Sequence, residues 1–200
     1  MNQLIKTIKE NKDTNFALRY AFDKLFQGVK DRKSDFHLLT LSTVDEYDQP
    51  QARTIVMRDF NSEKRTIRFH TDSRSKKFYD ISNNNNVSLL AYDNIDKLQI
   101  RMQCEAKIYH SKEVLSDIWR KMNISSKECY SIKNSPGEII NSPFHLDYYT
   151  NNDDKKSFNN FTVIICEIKN IDLLFLHHEG HIRINYNWIN KRFKGQWVIP

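Results

Sequence analysis

The chain has 200 residues, of which 39% are hydrophobic and 12% aromatic, which suits a globular protein with a single domain over residues 1–200. Its net charge of +6 comes from 31 basic and 25 acidic residues spread along the chain, which favours a basic surface over a nucleic-acid footprint. No apolar run approaches the roughly 20 residues of a membrane span, and the start lacks a signal-peptide pattern, so we expect a cytoplasmic protein. The 3 cysteines are widely spaced and predict neither a disulfide framework nor a zinc site.

The first part of the chain is predicted to be an N-terminal helical segment over 1–33. Its main helix covers 13–31, because apolar side chains recur there at helical spacing and Asp13 or Thr14 can cap its start. A shorter helix is predicted at 2–11.

From residue 36 onward the pattern becomes that of β-strands. Strands are predicted at 36–43, 51–57, 66–71, 87–92 and 97–110. In the third of them, Ile67 and Phe69 alternate with Arg68 and His70, so the two pairs lie on opposite faces. A turn is predicted at 59–64, and short helices are predicted at 73–82 and 111–122.

The segment 123–158 is polar and irregular, and a loop of that length in a compact domain is usually functional. Strands resume at 161–168, 171–177 and 181–188, and a last edge strand is predicted at 195–200. Many sequential strands with short connections favour an up-and-down or Greek-key antiparallel barrel over 36–200, and they disfavour a doubly wound α/β sheet.

Basic residues and hydroxyls concentrate around the strands 51–57 and 66–71. A short loop joins these strands, so we predict that they pair antiparallel and bring Arg53 and Thr71 to the N-terminus of the following helix. Helix N-termini favour anions. The segment at this helix start also carries hydroxyl groups and cations, namely Ser73, Ser75, Arg74, Lys76 and Lys77. The pattern predicts a phosphate site, with a solvated basic helix on the barrel rim as the alternative.

Four segments, at 53–58, 69–77, 85–90 and 98–100, together resemble the pyridoxamine 5'-phosphate oxidase-like family in order and spacing. The resemblance covers roughly residues 15–200 and is strongest over 36–110. Proteins of this family are mainly β with flanking α-helices. They form FMN-binding antiparallel split β-barrels, typically homodimers with the flavin at the subunit interface.

The resemblance also implies which residues hold FMN. The strand that borders the flavin would contribute Arg53, Thr54, Ile55, Val56, Met57 and Arg58. His70 and Thr71 match a Tyr-Thr pair that contacts the flavin. The residues at the FMN phosphate would be Lys76 and Lys77, which match an Arg-Lys pair, with Arg74 and Ser75 beside them.

Further cofactor contacts come from distant parts of the chain. Gln99 matches a glutamine beside the isoalloxazine ring, and Arg183 matches a C-terminal arginine near the flavin. Asn134 and Ser135 match a Gln-Ser pair that the other subunit donates, which would use the long loop across a dimer.

Departures from the family pattern leave the substrate open. The true oxidases have a lysine at the position of Arg58, and Glu179 replaces an arginine that grips the pyridoxal substrate, so Glu179 would repel a substrate phosphate. The family's Tyr and Arg on the helix after the long strand align with Trp119 and Asn123. The flavin site is kept, whereas the vitamin B6 phosphate site is eroded.

The resemblance therefore implies an FMN-dependent oxidoreductase of unknown substrate. The alternatives are a true pyridoxamine/pyridoxine 5'-phosphate oxidase in vitamin B6 salvage, a non-catalytic flavin-binding module, and a nucleic-acid-binding barrel. No catalytic residue is assigned, although His181 is a candidate substrate contact. We expect no metal, because His177, His178 and His181 lack a metal-ligand spacing such as HExxH.

Overall fold

The computed structural model describes residues 6–8, 10, 13–109, 111–144, 146–150 and 154–200. Residues 6–8 and 10 are helical, whereas the rest of the helix predicted at 2–11 lies outside the described residues, as does the predicted strand end at His110. Helix α1 (Thr14–Lys30) follows closely the prediction for 13–31. The Asp13 side chain accepts a hydrogen bond from the N–H of Asn15 and so caps the first turn.

Nine strands form one antiparallel sheet in the described part of the chain. They are β1 (Leu38–Val44), β2 (Pro50–Val56), β3 (Asp59–Asn61), β4 (Thr66–Asp72), β5 (Asn86–Asp93), β6 (Leu98–Tyr109), β7 (Phe161–Phe175), β8 (Ile182–Ile189) and β9 (Arg192–Val198). The order is β2-β1-β5-β6-β7-β4-β3, and β8 pairs with both β7 and β9. The sheet curls into a half-barrel, which confirms the predicted mainly-β antiparallel class with flanking helices.

Among the described residues, four further α-helices and the short 3-10 helix Asp35–His37 flank the sheet. The α-helices are α2 (Lys76–Asn83), α3 (Lys112–Lys121), α4 (Ile124–Glu128) and α5 (Asp154–Asn160). None of the helices formed by the described residues is both long enough and apolar enough to cross a membrane.

The main core lies against the inner face of the sheet. On β6 the buried Leu98, Ile100 and Met102 alternate with the more exposed Gln99 and Arg101, because successive side chains of a strand point to opposite faces. The cluster takes side chains from α1 and from all nine strands. This shared core favours the single domain over 1–200, which stays a prediction.

A smaller core lies on the outer face of β7, under α3. Its members are Leu115, Trp119, Tyr130, Phe161 and Val163. The ring of Trp119 packs against those of Tyr130 and Phe161, so the helix that follows β6 is fixed by aromatic contacts.

The predicted pairing of the strands 51–57 and 66–71 is wrong. In the described sheet β2 pairs with β1, whereas β4 lies between β7 and β3. The cause is β3, a three-residue strand within the predicted turn 59–64, because it takes one edge of β4 for itself.

Two further strand boundaries also differ from prediction. The predicted strands 161–168 and 171–177 form the single strand β7. At the expected break, Gln103 pairs with Asn170 and Cys104 pairs with Ile168, so Lys169 is an extra residue in a β-bulge. Strand β9 begins at Arg192, ahead of the predicted 195.

The segment 123–158 is less irregular than predicted. It contains α4 and the first residues of α5, and Ile132 forms an isolated antiparallel bridge with Tyr148. The Asn123 side chain caps α4 by accepting the N–H of Ser126. Helices this short show no hydrophobic period, which explains why the sequence pattern does not reveal them.

Replacing Gly28 with alanine should destabilise the protein. A Cβ at this position would lie 2.5 Å from the carbonyl oxygen of Phe36, so the backbone must shift. That clash costs about 1–3 kcal/mol, more than the roughly 1 kcal/mol that alanine gains in helix propensity. Equilibrium urea denaturation should therefore show a lower free energy of unfolding for Gly28→Ala, while the exposed control Gln27→Ala stays near the original value. A Gly28→Ala protein of unchanged stability would contradict this packing.

Candidate functional site

The strongest concentration of anion-binding groups lies where β4 runs into α2. We define the basic corner as Arg53, Thr71, Ser75, Lys77 and the N-terminus of α2. The Thr71 and Ser75 side chains are buried, and their hydroxyls lie 3.2 Å apart. The Lys77 ammonium donates to the Thr71 hydroxyl at 3.1 Å. Because a helix N-terminus adds unpaired N–H groups, these residues suit an anion.

Arg53, in the middle of β2, is held in place by buried partners. Its guanidinium donates to the Thr43 hydroxyl at 2.6 Å and pairs with Asp80 at 3.3 Å. Asp80 is almost fully buried, so this contact orients the guanidinium. Burial lowers the pKa of Lys77, and the positive charge of Arg53 lowers it further. Asp72 and Asp80 oppose this lowering without reversing it, which leaves positive charge for a ligand.

Two predicted phosphate contacts are instead engaged by carboxylates. Arg74 pairs with Asp72 at 2.7 Å and also donates to the carbonyls of Ile132 and Lys133. Its guanidinium therefore anchors the long loop to the end of β4. The adjacent Lys76 turns to Asp45 at 3.1 Å, and this hydrogen bond raises the pKa of Lys76. Sequence alone gives Lys76 and Lys77 the same role, whereas the structure separates them.

His70 and Arg58 do not lie with Thr71 at the basic corner. Strand alternation turns the His70 side chain to the outer face of β4 and Thr71 to the inner face. There His70, Arg58 and Arg68 line a cavity of about 350 Å³ under α3 and α4. The structure therefore turns the side chains of His70 and Thr71 to different surfaces, and their assignment as flavin contacts stays a prediction.

The same alternation divides the strand expected to border the flavin. Ile55 and Met57 are buried in the main core, so their side chains are not available to a ligand. Thr54 and Val56 point to the outer face, where Thr54 is exposed.

Gln99 and Arg183 lie on the outer face of the sheet. Gln99 pairs with Leu174, which pairs with Arg183, so the three residues form one row across β6, β7 and β8. Arg183 is held by Asp172 at 2.9 Å, and that carboxylate also pairs with Arg101. The structure thus brings Gln99 and Arg183 to one surface, which is separate from the inner side of the basic corner, and their assignment to a flavin stays a prediction.

Asn134 and Ser135 are solvent-accessible residues of the long loop. The Asn134 amide and the Ser135 N–H both donate to the Glu138 carboxylate, at 2.8 Å and 3.0 Å. Because Arg74 holds the carbonyls of the two preceding residues, the loop reaches the end of β4 just before this turn. Their assignment to the flavin of a second subunit stays a prediction.

The histidines near the C-terminus form a compact turn between β7 and β8. Ligand atoms of His177, His178 and Glu179 lie within 4.8 Å of one another. The N–H of Glu179 donates to the His177 ring, and the N–H of His177 donates to the His181 ring. These internal hydrogen bonds explain the cluster as a turn that fixes His181.

Sequence reasoning missed two residues of these sites. Asp80 orients Arg53, and its spacing of three from Lys77 on α2 places both on one helix face. Arg68 joins Arg58 and His70 at the outer cavity. The alternation of Arg68 with the buried Ile67 and Phe69 places its side chain on the outer face, but the sequence does not show that Arg58 lies there too.

Comparison with known proteins supports the resemblance that the sequence motifs suggest. Residues 19–110 match the family model described as pyridoxamine 5'-phosphate oxidase, FMN-binding domain. No curated protein matches the chain significantly.

Two solved structures share the fold over nearly the whole chain. One is a pyridoxamine 5'-phosphate oxidase-related, FMN binding protein from Nostoc punctiforme PCC 73102, with 19% identity, a TM-score of 0.72, and coverage of 90% of this chain and 95% of that one. The other is PhzG from Burkholderia lata 383 in complex with tetrahydrophenazine-1-carboxylic acid, with 15% identity, a TM-score of 0.69, and coverage of 92% of each chain. These structures confirm the predicted split-barrel fold, and the family model confirms the resemblance over residues 19–110.

His70 should make folding stability depend on pH. Burial, helped by the charges of Arg68 and Arg58, lowers the pKa of His70 from 6.5 to about 3. Between these values the unfolded chain binds a proton that the folded chain does not. Stability should therefore fall as the pH decreases, by about 1.4 kcal/mol per pH unit once the pH is well below 6.5.

The measurement is urea denaturation at pH 7 and pH 5 on the original protein and on His70→Phe, which keeps an aromatic ring against Phe161. The loss of stability between the two pH values should be about 2 kcal/mol smaller in the variant. Equal losses in both proteins would show that His70 is protonated normally.

Proposed function

We propose that the chain is an FMN-binding flavoprotein and oxidoreductase that holds the FMN phosphate at the basic corner. The observation that carries this proposal is Lys77, a largely buried ammonium beside Arg53 and the buried hydroxyls of Thr71 and Ser75. The family match over residues 19–110 supports the choice of FMN among phosphate-bearing ligands.

The groups present at the basic corner fit a phosphate monoester. Its oxygens would accept from the Lys77 ammonium, the Ser75 hydroxyl and the N-terminal N–H groups of α2, with Arg53 adding charge. A dianion beside Lys77 and Arg53 would offset the burial and the repulsion that now lower the pKa of Lys77. Bound FMN would supply hydride and electron transfer, while the protein supplies position and electrostatics.

The outer face is the second part of the proposed flavin site. Gln99 and Arg183 share a row there, and Thr54 and Val56 point to the same side of the sheet. Asp172 fixes the Arg183 guanidinium, so it can orient a polar group without a large loss of side-chain entropy.

The substrate is proposed to differ from pyridoxamine phosphate. Glu179 is exposed at the β7–β8 turn, next to the residues that hold His181. A carboxylate there would repel a substrate phosphate, so a true oxidase of vitamin B6 salvage is the less favoured alternative. A non-catalytic flavin-binding module stays the other alternative, and the cytoplasmic location stays a prediction.

A homodimer is part of the same proposal. Tyr92, Gln99, Leu174, Arg183 and Val198 form one row across five strands of the outer face. Tyr92 is 40% exposed and Val198 is 38% exposed. Exposed apolar side chains at both ends of this row favour contact with a second copy, which would also cover a flavin at that face.

Lys77 and its neighbour Lys76 give a matched test of FMN binding. The original protein should be yellow as purified or after adding FMN. Lys77→Ala should weaken FMN binding by about 10- to 100-fold, because a charge-assisted hydrogen bond contributes about 1.5–3 kcal/mol. Lys76→Ala should change the affinity by less than about three-fold, since Asp45 already engages that side chain.

Fluorescence quenching of added FMN measures both affinities. Equal losses in the two variants would contradict the separate roles of the two lysines. Colourless protein that does not bind added FMN would refute the proposed cofactor.

The proposed dimer is tested by Tyr92→Asp. A charge buried at the Tyr92 end of this row should shift the protein from dimer to monomer in light scattering coupled to gel filtration. The control Tyr47→Asp lies on the exposed β1–β2 turn and should leave the mass unchanged. A monomeric original protein, or a Tyr92→Asp protein that stays dimeric, would contradict an interface at this row.

A further inference from the structure

Arg74 connects the end of β4 to the long loop. Its Nε and Nη2 atoms donate to the two carboxylate oxygens of Asp72, at 3.0 Å and 2.7 Å. Its Nη2 and Nη1 atoms also donate to the carbonyls of Ile132 and Lys133, at 3.0 Å and 2.8 Å. All three nitrogens of the guanidinium therefore have acceptors, and these acceptors belong to two segments that are far apart in sequence.

The two carbonyls belong to the loop base, which we define as residues 131–133 and 147–149. There Ile132 forms an antiparallel bridge with Tyr148. Backbone hydrogen bonds of 2.8 Å and 2.7 Å close the ladder on either side of this bridge. The base is thus a small rigid unit, and the residues beyond it lie where Arg74 places the base.

Asp72 connects the same guanidinium to the basic corner. Its backbone carbonyl accepts the Ser75 hydroxyl at 2.7 Å and the Ser75 N–H at 3.1 Å. The Ser75 hydroxyl also lies 3.2 Å from that of Thr71. One residue therefore contacts both a hydroxyl of the basic corner and the side chain that anchors the loop.

Burial makes this connection persistent. Asp72 is buried, and removing the partner of a buried carboxylate is strongly unfavourable, so the guanidinium stays with it. A planar guanidinium that stays in place gives its remaining donors a fixed direction, and this direction determines where the loop base lies.

We propose that Arg74 is a positioning residue that couples the loop base to anion binding at the basic corner. An anion that accepts the Ser75 hydroxyl and the N–H groups of α2 fixes the turn at Asp72, which still accepts the Ser75 N–H. A fixed Asp72 holds Arg74, and Arg74 holds the loop base. The coupling also acts in reverse, because a coupling free energy between two sites is reciprocal.

The coupling deepens the proposed function and rests on it, because the anion is the phosphate of the proposed FMN. The loop base immediately precedes Asn134 and Ser135, which are predicted to contact the flavin of a second subunit. Arg74 would then set the position of these two residues, whereas the phosphate itself is held by Lys77 and its neighbours.

Hydrogen–deuterium exchange on the full-length protein tests the coupling. Saturating FMN should slow exchange at the loop base at least five-fold in the original protein and leave α1 unchanged. In Arg74→Gln the loop base should exchange faster without ligand, and FMN should no longer slow it. Equal slowing by FMN in both proteins would show that FMN acts on the loop directly, and it would overturn the proposal.

The same measurement distinguishes failure of the coupling from failure of the cofactor. FMN that binds the original protein without slowing exchange at the loop base would overturn the coupling and leave the proposed function intact. If FMN does not bind, the proposed function fails, and inorganic phosphate at high concentration replaces it as the probe. Slowing by phosphate in the original protein alone would support the coupling, whereas no slowing would overturn it.

FMN affinity separates the position of Arg74 from its charge. Arg74→Lys keeps the charge, but a single ammonium cannot bridge a carboxylate and two carbonyls in this geometry. Arg74→Lys and Arg74→Gln should both weaken FMN binding at least three-fold, while the exposed control Arg32→Gln leaves it unchanged. Full affinity in Arg74→Lys with a loss in Arg74→Gln would show that only the charge matters, and the proposal fails.

The Arg74 variants are expected to fold, because other contacts also hold the turn after β4. The Ser73 N–H donates to the Asn160 carbonyl at 2.7 Å, and Arg74 lies outside both hydrophobic cores. If Arg74→Gln does not fold, Asp72→Asn provides the same test, because it weakens the same bridge from its other end. Unchanged exchange at the loop base in that variant would overturn the proposal.

Discussion

Successive side chains of a β-strand point to opposite faces of the sheet, and this constraint decides which basic residues can meet. On β4 it turns Thr71 to the inner side, beside Lys77, and His70 to the outer side, beside Arg68. A single run of seven residues therefore serves two surfaces. The core on one side and the α3 packing on the other keep the two surfaces apart.

Carboxylates determine which of the cations near the basic corner are neutralised. Asp72 and Asp45 engage Arg74 and Lys76, whose charges then hold the loop and the β1–β2 turn in place. Lys77 donates to a hydroxyl instead, and its pKa falls because burial and Arg53 oppose its charge. A lowered lysine pKa indicates a charge without sufficient compensation, which is the condition for an anion site.

The sequence predicted those elements whose pattern is local. The alternation of Leu98 to Ala106 predicted β6, and the capped apolar period predicted α1. It did not predict that β4 pairs with β7, because Thr66 and its partner Glu167 are far apart in sequence and no local period encodes such a pairing. The three-residue strand β3 is too short to give a period at all.

The same distinction applies to the site. Hydroxyls and cations at the end of a strand and the start of a helix can be read from sequence, which is how Thr71, Ser75 and Lys77 were predicted. Which cation is neutralised depends on tertiary contacts, as when Asp45 reaches Lys76 from 31 residues away. Sequence gives the number of charges in a segment, and the fold assigns each one a partner.

Two clusters hold like charges together: the basic corner, with Lys77 and Arg53, and the outer cluster of Arg58 and Arg68 beside His70. Such an arrangement lowers the stability of the fold unless burial of apolar side chains elsewhere offsets it. The main core, with contributions from nine strands, supplies that offset. Strand β4 connects the two clusters, since its ladder with β7 fixes the positions of Thr71 and His70 on its opposite faces, and its ladder with β3 fixes Arg68. Neither cluster can relax by moving its strand without breaking these ladders. The like charges of each cluster are therefore held together by the strand pairing.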